Sequence, residues 1–144
     1  MTQCSIKSLY VFDIDDTLFR TSARAKIVNT KGQVKYLSSE ELKDYEFSAG
    51  EKICFAEFRD AKKFAEESQP IEHMIKIAQD CINKTAEGSK TILLTARADL
   101  DCKTKFLEYL NSSGLDINHI YVERAGNIKN LKTAEAKNKL LANI

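Results

Sequence analysis

The stretch Ser8-Leu9-Tyr10-Val11-Phe12-Asp13-Ile14-Asp15-Asp16-Thr17-Leu18-Phe19 is an apolar run of strand length that stops abruptly at three carboxylates and a hydroxyl. The unbroken run Leu9 to Phe12 suits a strand covered by helices on both faces, since a half-solvated strand would alternate apolar with polar residues. Acids then belong where the sheet ends, because ligands of open α/β sheets sit outside the carboxyl ends of the strands. Asp13 and Asp15 lie two apart, so on extended backbone both side chains leave the same face. Two carboxylates sharing one mouth repel each other, and a divalent cation or protonation of one of them relieves that cost.

Beyond this stretch the chain reads as alternating strands and helices. Ala25 to Val28 and Gln33 to Leu37 alternate apolar with polar residues around Asn29-Thr30-Lys31-Gly32, which predicts a β-hairpin with Gly32 in the turn. Ser38-Ser39-Glu40-Glu41 supplies hydroxyl caps followed by acids for a short helix over Leu42 to Tyr45, broken by Ala49-Gly50. A short strand is expected over Glu51 to Phe55, and Phe55, Phe58 and Phe64 sit at helical spacing up to Glu67. Pro70 stands where a helix begins, and Met74, Ile77, Ala78, Cys81 and Ile82 form one apolar stripe between Ile71 and Ala86, ended by Gly88. Lys90 to Thr95 is a second buried strand that finishes in the polar cluster Thr95-Ala96-Arg97-Ala98-Asp99, parallel to the first and joined to it through a helix. A helix over Leu100 to Ser112, capped by Asp99 and Asp101, a third strand over His119 to Val122 and a last helix over Lys132 to Leu141 complete the chain.

The Asp-x-Asp-x-Thr at the end of the first strand resembles the first motif of the haloacid dehalogenase superfamily of phosphotransferases. The resemblance implies an α/β fold: a Rossmann-like core with a parallel sheet, formed by residues 1–19 and 70–144, and a small α+β cap inserted over residues 20–69. Such a cap covers the mouth and selects the substrate. The resemblance makes Asp13 the nucleophile that takes a phosphoryl group and Asp15 the general acid/base. Mg²⁺ would be held by Asp13 and by Asp15 through its backbone carbonyl, with Thr17 among the phosphate-binding residues. Thr95 matches the second motif, a hydroxyl that binds a phosphoryl oxygen. Arg97 is similar to an arginine at this place in the phosphatase domain of phage polynucleotide kinase and in related phage proteins, and Tyr121-Val-Glu-Arg-Ala-Gly-Asn127 is similar to a string in phage members. Lys137 resembles the third-motif lysine; Lys129 and Lys132 compete for that role, and Lys137 is preferred because it follows Thr133-Ala-Glu-Ala136.

The fourth motif of that superfamily, a pair of acids after a fourth strand, has no counterpart: no aspartate follows Asp116. Weak Mg²⁺ binding is therefore expected, and the run Leu9 to Phe12 is expected at a sheet edge despite its buried composition, open to a second copy or another partner.

The chain as a whole bounds these readings. At 144 residues, 43% hydrophobic and 30% charged, it is long enough for one core with an inserted cap. A net charge of +1 argues against a strongly basic nucleic-acid surface, although a local patch is compatible with it. No apolar run has membrane-spanning length and the first residues lack the apolar core of a signal peptide, so a cytoplasmic protein is expected, in a host cytoplasm if the chain is viral. Cys4, Cys54, Cys81 and Cys102 are scattered and read as reduced thiols, and the isolated His73 and His119 as surface or packing residues. The leading expectation is a Mg²⁺-dependent phosphomonoester hydrolase working through an aspartyl phosphate, with a nucleotide or polynucleotide-end phosphate as substrate. The alternatives are a catalytically reduced relative that binds or assembles, and a receiver-like domain, which fits the long insertion after the acids less well.

Overall fold

The computed structural model describes residues 8–127 and 133–142. In chain order its elements are β1 (Leu9–Phe12), β2 (Phe19–Arg20), β3 (Arg24–Val28), β4 (Val34–Ser38), α1 (Ser39–Lys43), β5 (Lys52–Cys54), α2 (Ala61–Glu67), β6 (Gln69–Pro70), α3 (Glu72–Ile82), β7 (Lys90–Thr95), α4 (Lys103–Ser112), β8 (Ile120–Arg124) and α5 (Thr133–Ala142). Short 3-10 turns lie at Ala56–Arg59, Thr85–Glu87, Ile117–His119 and Ala125–Asn127.

The mixed α/β architecture is built on a three-stranded parallel sheet in the order β1-β7-β8. The central strand β7 buries Thr91 through Thr95, as a continuous apolar run between covering layers requires. On one face Leu93 joins a core made with Phe19 and Leu18, Phe64 of α2, Ile75, Ala78 and Ile82 of α3, and Phe106 and Leu110 of α4. The rings of Phe19, Phe64, Phe106 and Tyr109 meet there, with centroids 5.2 to 5.4 Å apart. Among the described residues β1 has a strand partner on one side only, and Leu9 and Val11 are each 41% exposed. The edge position expected for β1 is therefore what the structure shows among the described residues, and the covering on both faces suggested by the apolar run is not.

A second sheet, antiparallel in the order β4-β3-β5, lies within the expected cap, and a two-stranded ladder pairs Phe19 with Pro70 and Arg20 with Gln69 where the chain leaves and returns. Ala25 and Ile27 point to the buried side, where Ala23, Ala25 and Phe58 form a small core with Leu42 and Ile53. Packing divides the expected insertion, because α2 buries Ala61 and Phe64 in the main core and only the segment up to Phe58 packs with the second sheet. The large aromatic side chain decides this, since Phe64 is shielded only where it meets the other rings.

Several boundaries differ from expectation. The first helix starts at Ser39, earlier than Leu42, because Ser38 and Glu41 form a reciprocal capping box. The Ser38 amide and hydroxyl hold the Glu41 carboxyl below its ordinary range. The helical stretch from Phe55 to Glu67 is split, with Asp60 capping the Lys63 amide. Pro70 lies in β6, not at a helix start, and on α3 Ile75 is buried whereas Ile77 is 47% exposed. Asp101 caps the Ala61 amide of α2 at 2.9 Å and Asp99 pairs with Arg124, so neither caps α4 as expected. Cys54, Cys81 and Cys102 are free thiols, and Cys4 lies outside the described residues.

Phe64 is 2% exposed at the meeting point of α2 and α4. Phe64→Ala is expected to lower unfolding free energy by about 3–5 kcal/mol in urea denaturation; a loss under about 1 kcal/mol would show that α2 is not part of the main core.

Candidate active site

Parallel register brings the carboxyl ends of the strands together. Phe12 pairs with Leu93 and Thr95 with Arg124, so Asp13, Thr95 and the segment after Arg124 leave the sheet at one end. Chain reversal after Asp13 is local: the amides of Thr17, Leu18 and Phe19 all turn to the Ile14 carbonyl, at 3.4, 3.1 and 3.1 Å. Asp16 takes a left-handed conformation with φ of 61°, which aspartate tolerates better than most residues. Its carboxylate accepts from Ser39 Oγ at 2.6 Å, tying the mouth to the start of α1.

Asp13 is partly open. One carboxylate oxygen accepts the Ile14 amide at 2.8 Å and the other lies 3.4 Å from Lys137 Nζ, which α5 delivers from the far end of the chain. The side chains of Lys137 and Asp13 keep 23% and 35% of their surface exposed, so this pair can meet a ligand. Lys129 and Lys132, the competing lysines, lie outside the described residues.

Asp15 has a different environment. Its Oδ1 receives Arg97 Nη2 at 2.6 Å and Thr21 Oγ1 at 2.7 Å, while Arg97 Nε bridges both oxygens at 3.2 and 3.0 Å. Arg97 is closed off on every side: its side chain is 1% exposed, Nη1 donates to the Phe58 carbonyl at 2.9 Å, and its carbon centre sits 5.1 and 5.0 Å from the rings of Phe58 and Phe64. The phosphate-gripping role expected of Arg97 is therefore not what this arrangement offers; its fork is spent on Asp15. Thr95 is fully buried and its Oγ1 accepts the Arg97 amide at 3.1 Å, which shapes the loop after β7. Thr17 is half-buried in the turn after Asp16.

Thr21, Phe58, Arg124 and Gly126 were not singled out from the sequence as site residues. Gly126 sets the approach of the two loops, donating its amide to the Arg97 carbonyl at 3.2 Å. A Cβ there would meet the Ala98 amide nitrogen and come within 2.6 Å of the Ala96 carbonyl oxygen. A glycine just after a strand was the only available signal. A surface groove of about 390 Å³ between α2 and α4 is lined by none of these residues.

Comparison with known protein families, curated proteins and solved structures returns no match for this chain.

Removing one partner of a buried ion pair leaves the other charge uncompensated. Arg97→Met is expected to cost about 3–5 kcal/mol of stability, and Arg97→Met with Asp15→Asn less than the sum of the two single changes. A double-mutant cycle in urea checks this, and strict additivity would dismiss the pair as a structural link. Gly126→Ala should cost about 1–3 kcal/mol by the same measurement, because two backbone segments must separate to admit one methyl.

Proposed function

We propose that this chain is a phosphomonoester hydrolase that transfers a phosphoryl group to Asp13. The observation that carries the reading is the Asp13–Lys137 pair, a half-exposed carboxylate with an ammonium 3.4 Å away at the carboxyl end of a parallel strand. A carboxylate attacking a phosphate ester needs its own charge and that of the phosphate balanced, and Lys137 supplies a cation that touches the nucleophile. The superfamily resemblance of Asp13 to Thr17 supports the same chemistry.

In this reading the phosphomonoester arrives as its monoanion, Asp13 attacks phosphorus, the bond from phosphorus to the ester oxygen breaks, and the substrate's own proton passes through the Asp15 carboxylate to the leaving oxygen. Asp15 then withdraws a proton from water, whose oxygen attacks the aspartyl phosphate and releases inorganic phosphate with Asp13 regenerated. Asp15 Oδ2 is the oxygen that suits this work, because Oδ1 holds both Arg97 Nη2 and Thr21 whereas Oδ2 meets only Arg97 Nε. Arg97 thus acts as a positioning residue for Asp15, while Thr17 and Thr95 are the hydroxyls that the resemblance assigns to the phosphoryl group.

Among the described residues no three or more acids, histidines or cysteines gather as a metal cage. The oxygen set still fits a cation that binds through one or two protein donors and keeps its waters: the Asp13 carboxylate and the Asp15 main-chain carbonyl, completed by phosphate. Mg²⁺ there would neutralise charge on the phosphoryl oxygens. Among the described residues no helix is long and apolar enough to cross a membrane. Action in the cytoplasm on a nucleotide or polynucleotide-end phosphate, in a host cell if the chain is phage-encoded, belongs to the same proposal; its support is the resemblance and the free thiols.

A second reading rests on a separate observation, the edge position of β1 with Leu9 and Val11 exposed. A reduced relative that docks a second copy on this edge would bury that surface.

Hydrolysis of an aryl phosphate tests the first reading: Mg²⁺-dependent phosphate release is expected, with at least about a thousandfold loss in Asp13→Asn. Unchanged turnover in that variant would refute the nucleophile. A dimer by light scattering that Val11→Lys dissociates, with no hydrolysis in either protein, would instead favour the assembly reading.

A further inference from the structure

The outer face of the second sheet is not accounted for by the chemistry at Asp13. Alternation along the strands places Arg24, Lys26 and Val28 of β3, Val34, Tyr36 and Ser38 of β4, and Lys52 and Cys54 of β5 on that face, opposite the buried Ala25, Ile27 and Leu37. The three strands, Arg-Ala-Lys-Ile-Val, Val-Lys-Tyr-Leu-Ser and Lys-Ile-Cys, contain no acid. A chain with net charge +1 has acids in nearly equal number, so their absence here is a local segregation of charge. Of the acids nearest in sequence, Glu57 accepts the Arg24 amide and lies 3.7 Å from Lys63, Glu51 is held by Tyr45 and the Ser48 amide and lies 3.9 Å from Lys35 on the opposite side of the sheet, Glu41 closes the capping box, and Glu40 is exposed on α1. On the outer strand β4 Tyr36 is 44% exposed, paired across the ladder with Lys26 of the central strand and with the Arg24 guanidinium 4.7 Å from its ring centroid.

An ordinary half-solvated sheet is polar outside, but mixed in sign. One sign of charge around an open aromatic ring is the combination that holds single-stranded nucleic acid, where cations follow the backbone and bases stack on rings. The face also adjoins the mouth. Arg24 pairs with Ser38, the neighbouring Ser39 binds Asp16, and Thr21, just before β3, binds Asp15.

We propose that this outer face binds single-stranded nucleic acid and leads its phosphorylated end to Asp13. The proposal rests on the phosphatase reading for the fate of that end, and on the sheet alone for binding. β3 spans about 13 Å at 3.3 Å per residue, room for a few nucleotides, so binding is of short reach and weakened by salt.

The test is fluorescence anisotropy of a labelled ten-residue oligothymidylate bearing a terminal phosphate, titrated with the full chain carrying Asp13→Asn so that the end is not consumed. Binding at low salt is expected, falling as salt rises. Lys26→Glu with Lys52→Glu should weaken it at least about tenfold, Tyr36→Ala about tenfold, and Tyr36→Phe should retain it, with unchanged circular dichroism in each. Absence of binding at low salt, or binding that survives the charge reversals, overturns the proposal. So does a loss on charge reversal with none in Tyr36→Ala, which marks a generic polyanion surface. Aryl phosphate hydrolysis by the protein with Asp13 intact is read separately: hydrolysis without oligonucleotide binding refutes this inference alone, and binding without hydrolysis refutes the phosphatase reading alone.

Discussion

The ion pair between Asp15 and Arg97 joins three parts of this molecule. It connects the loop after β1 to the loop after β7, and through the Phe58 carbonyl it reaches the segment that closes the second sheet. A guanidinium with almost no solvent contact is tolerable only when its donors are satisfied, and here a carboxylate fork, a carbonyl and two ring faces meet that demand. Such a pair adds little net stability compared with apolar packing of the same volume. Its effect is to fix geometry: an Asp15 carboxylate directed elsewhere would strand the arginine.

Around this pair the two carboxylates of the Asp-x-Asp are made unequal. Asp15 is enclosed and held by several donors, while Asp13 stays half-open beside a single lysine. Two acids at nearly the same place in the sequence can serve different roles only if their surroundings differ. The surroundings come from distant parts of the chain, Arg97 from the end of β7 and Lys137 from α5.

The second sheet is linked to the mouth by polar contacts, Ser39 to Asp16 and Thr21 to Asp15, more than by apolar packing. Its small core with Phe58 is separate from the main one, whereas α2, though adjacent in sequence, is locked into the main core by Phe64.

Local features were legible in the sequence because their causes are local. The hairpin around Gly32, the strand Lys90–Thr95, the capping hydroxyls at Ser38 and the exit of the first strand into acids follow from periodicity, turn residues and caps. The partners of those acids were only partly legible: Lys137 was selected by motif and does lie at Asp13, but Arg97 was expected to face a ligand and instead faces Asp15. Asp101, read as a cap for the helix after it, caps α2 instead. What the sequence by itself determined is which residues form the longer strands and where the carboxylates leave the sheet, since backbone propensity and side-chain period act over a few residues, whereas the two-residue ladder of β2 and β6 exists only through its tertiary pairing. Only the tertiary structure decided which cation meets which acid, because ion pairs form between segments far apart in the chain and the packing of Phe58 and Phe64 chooses among them.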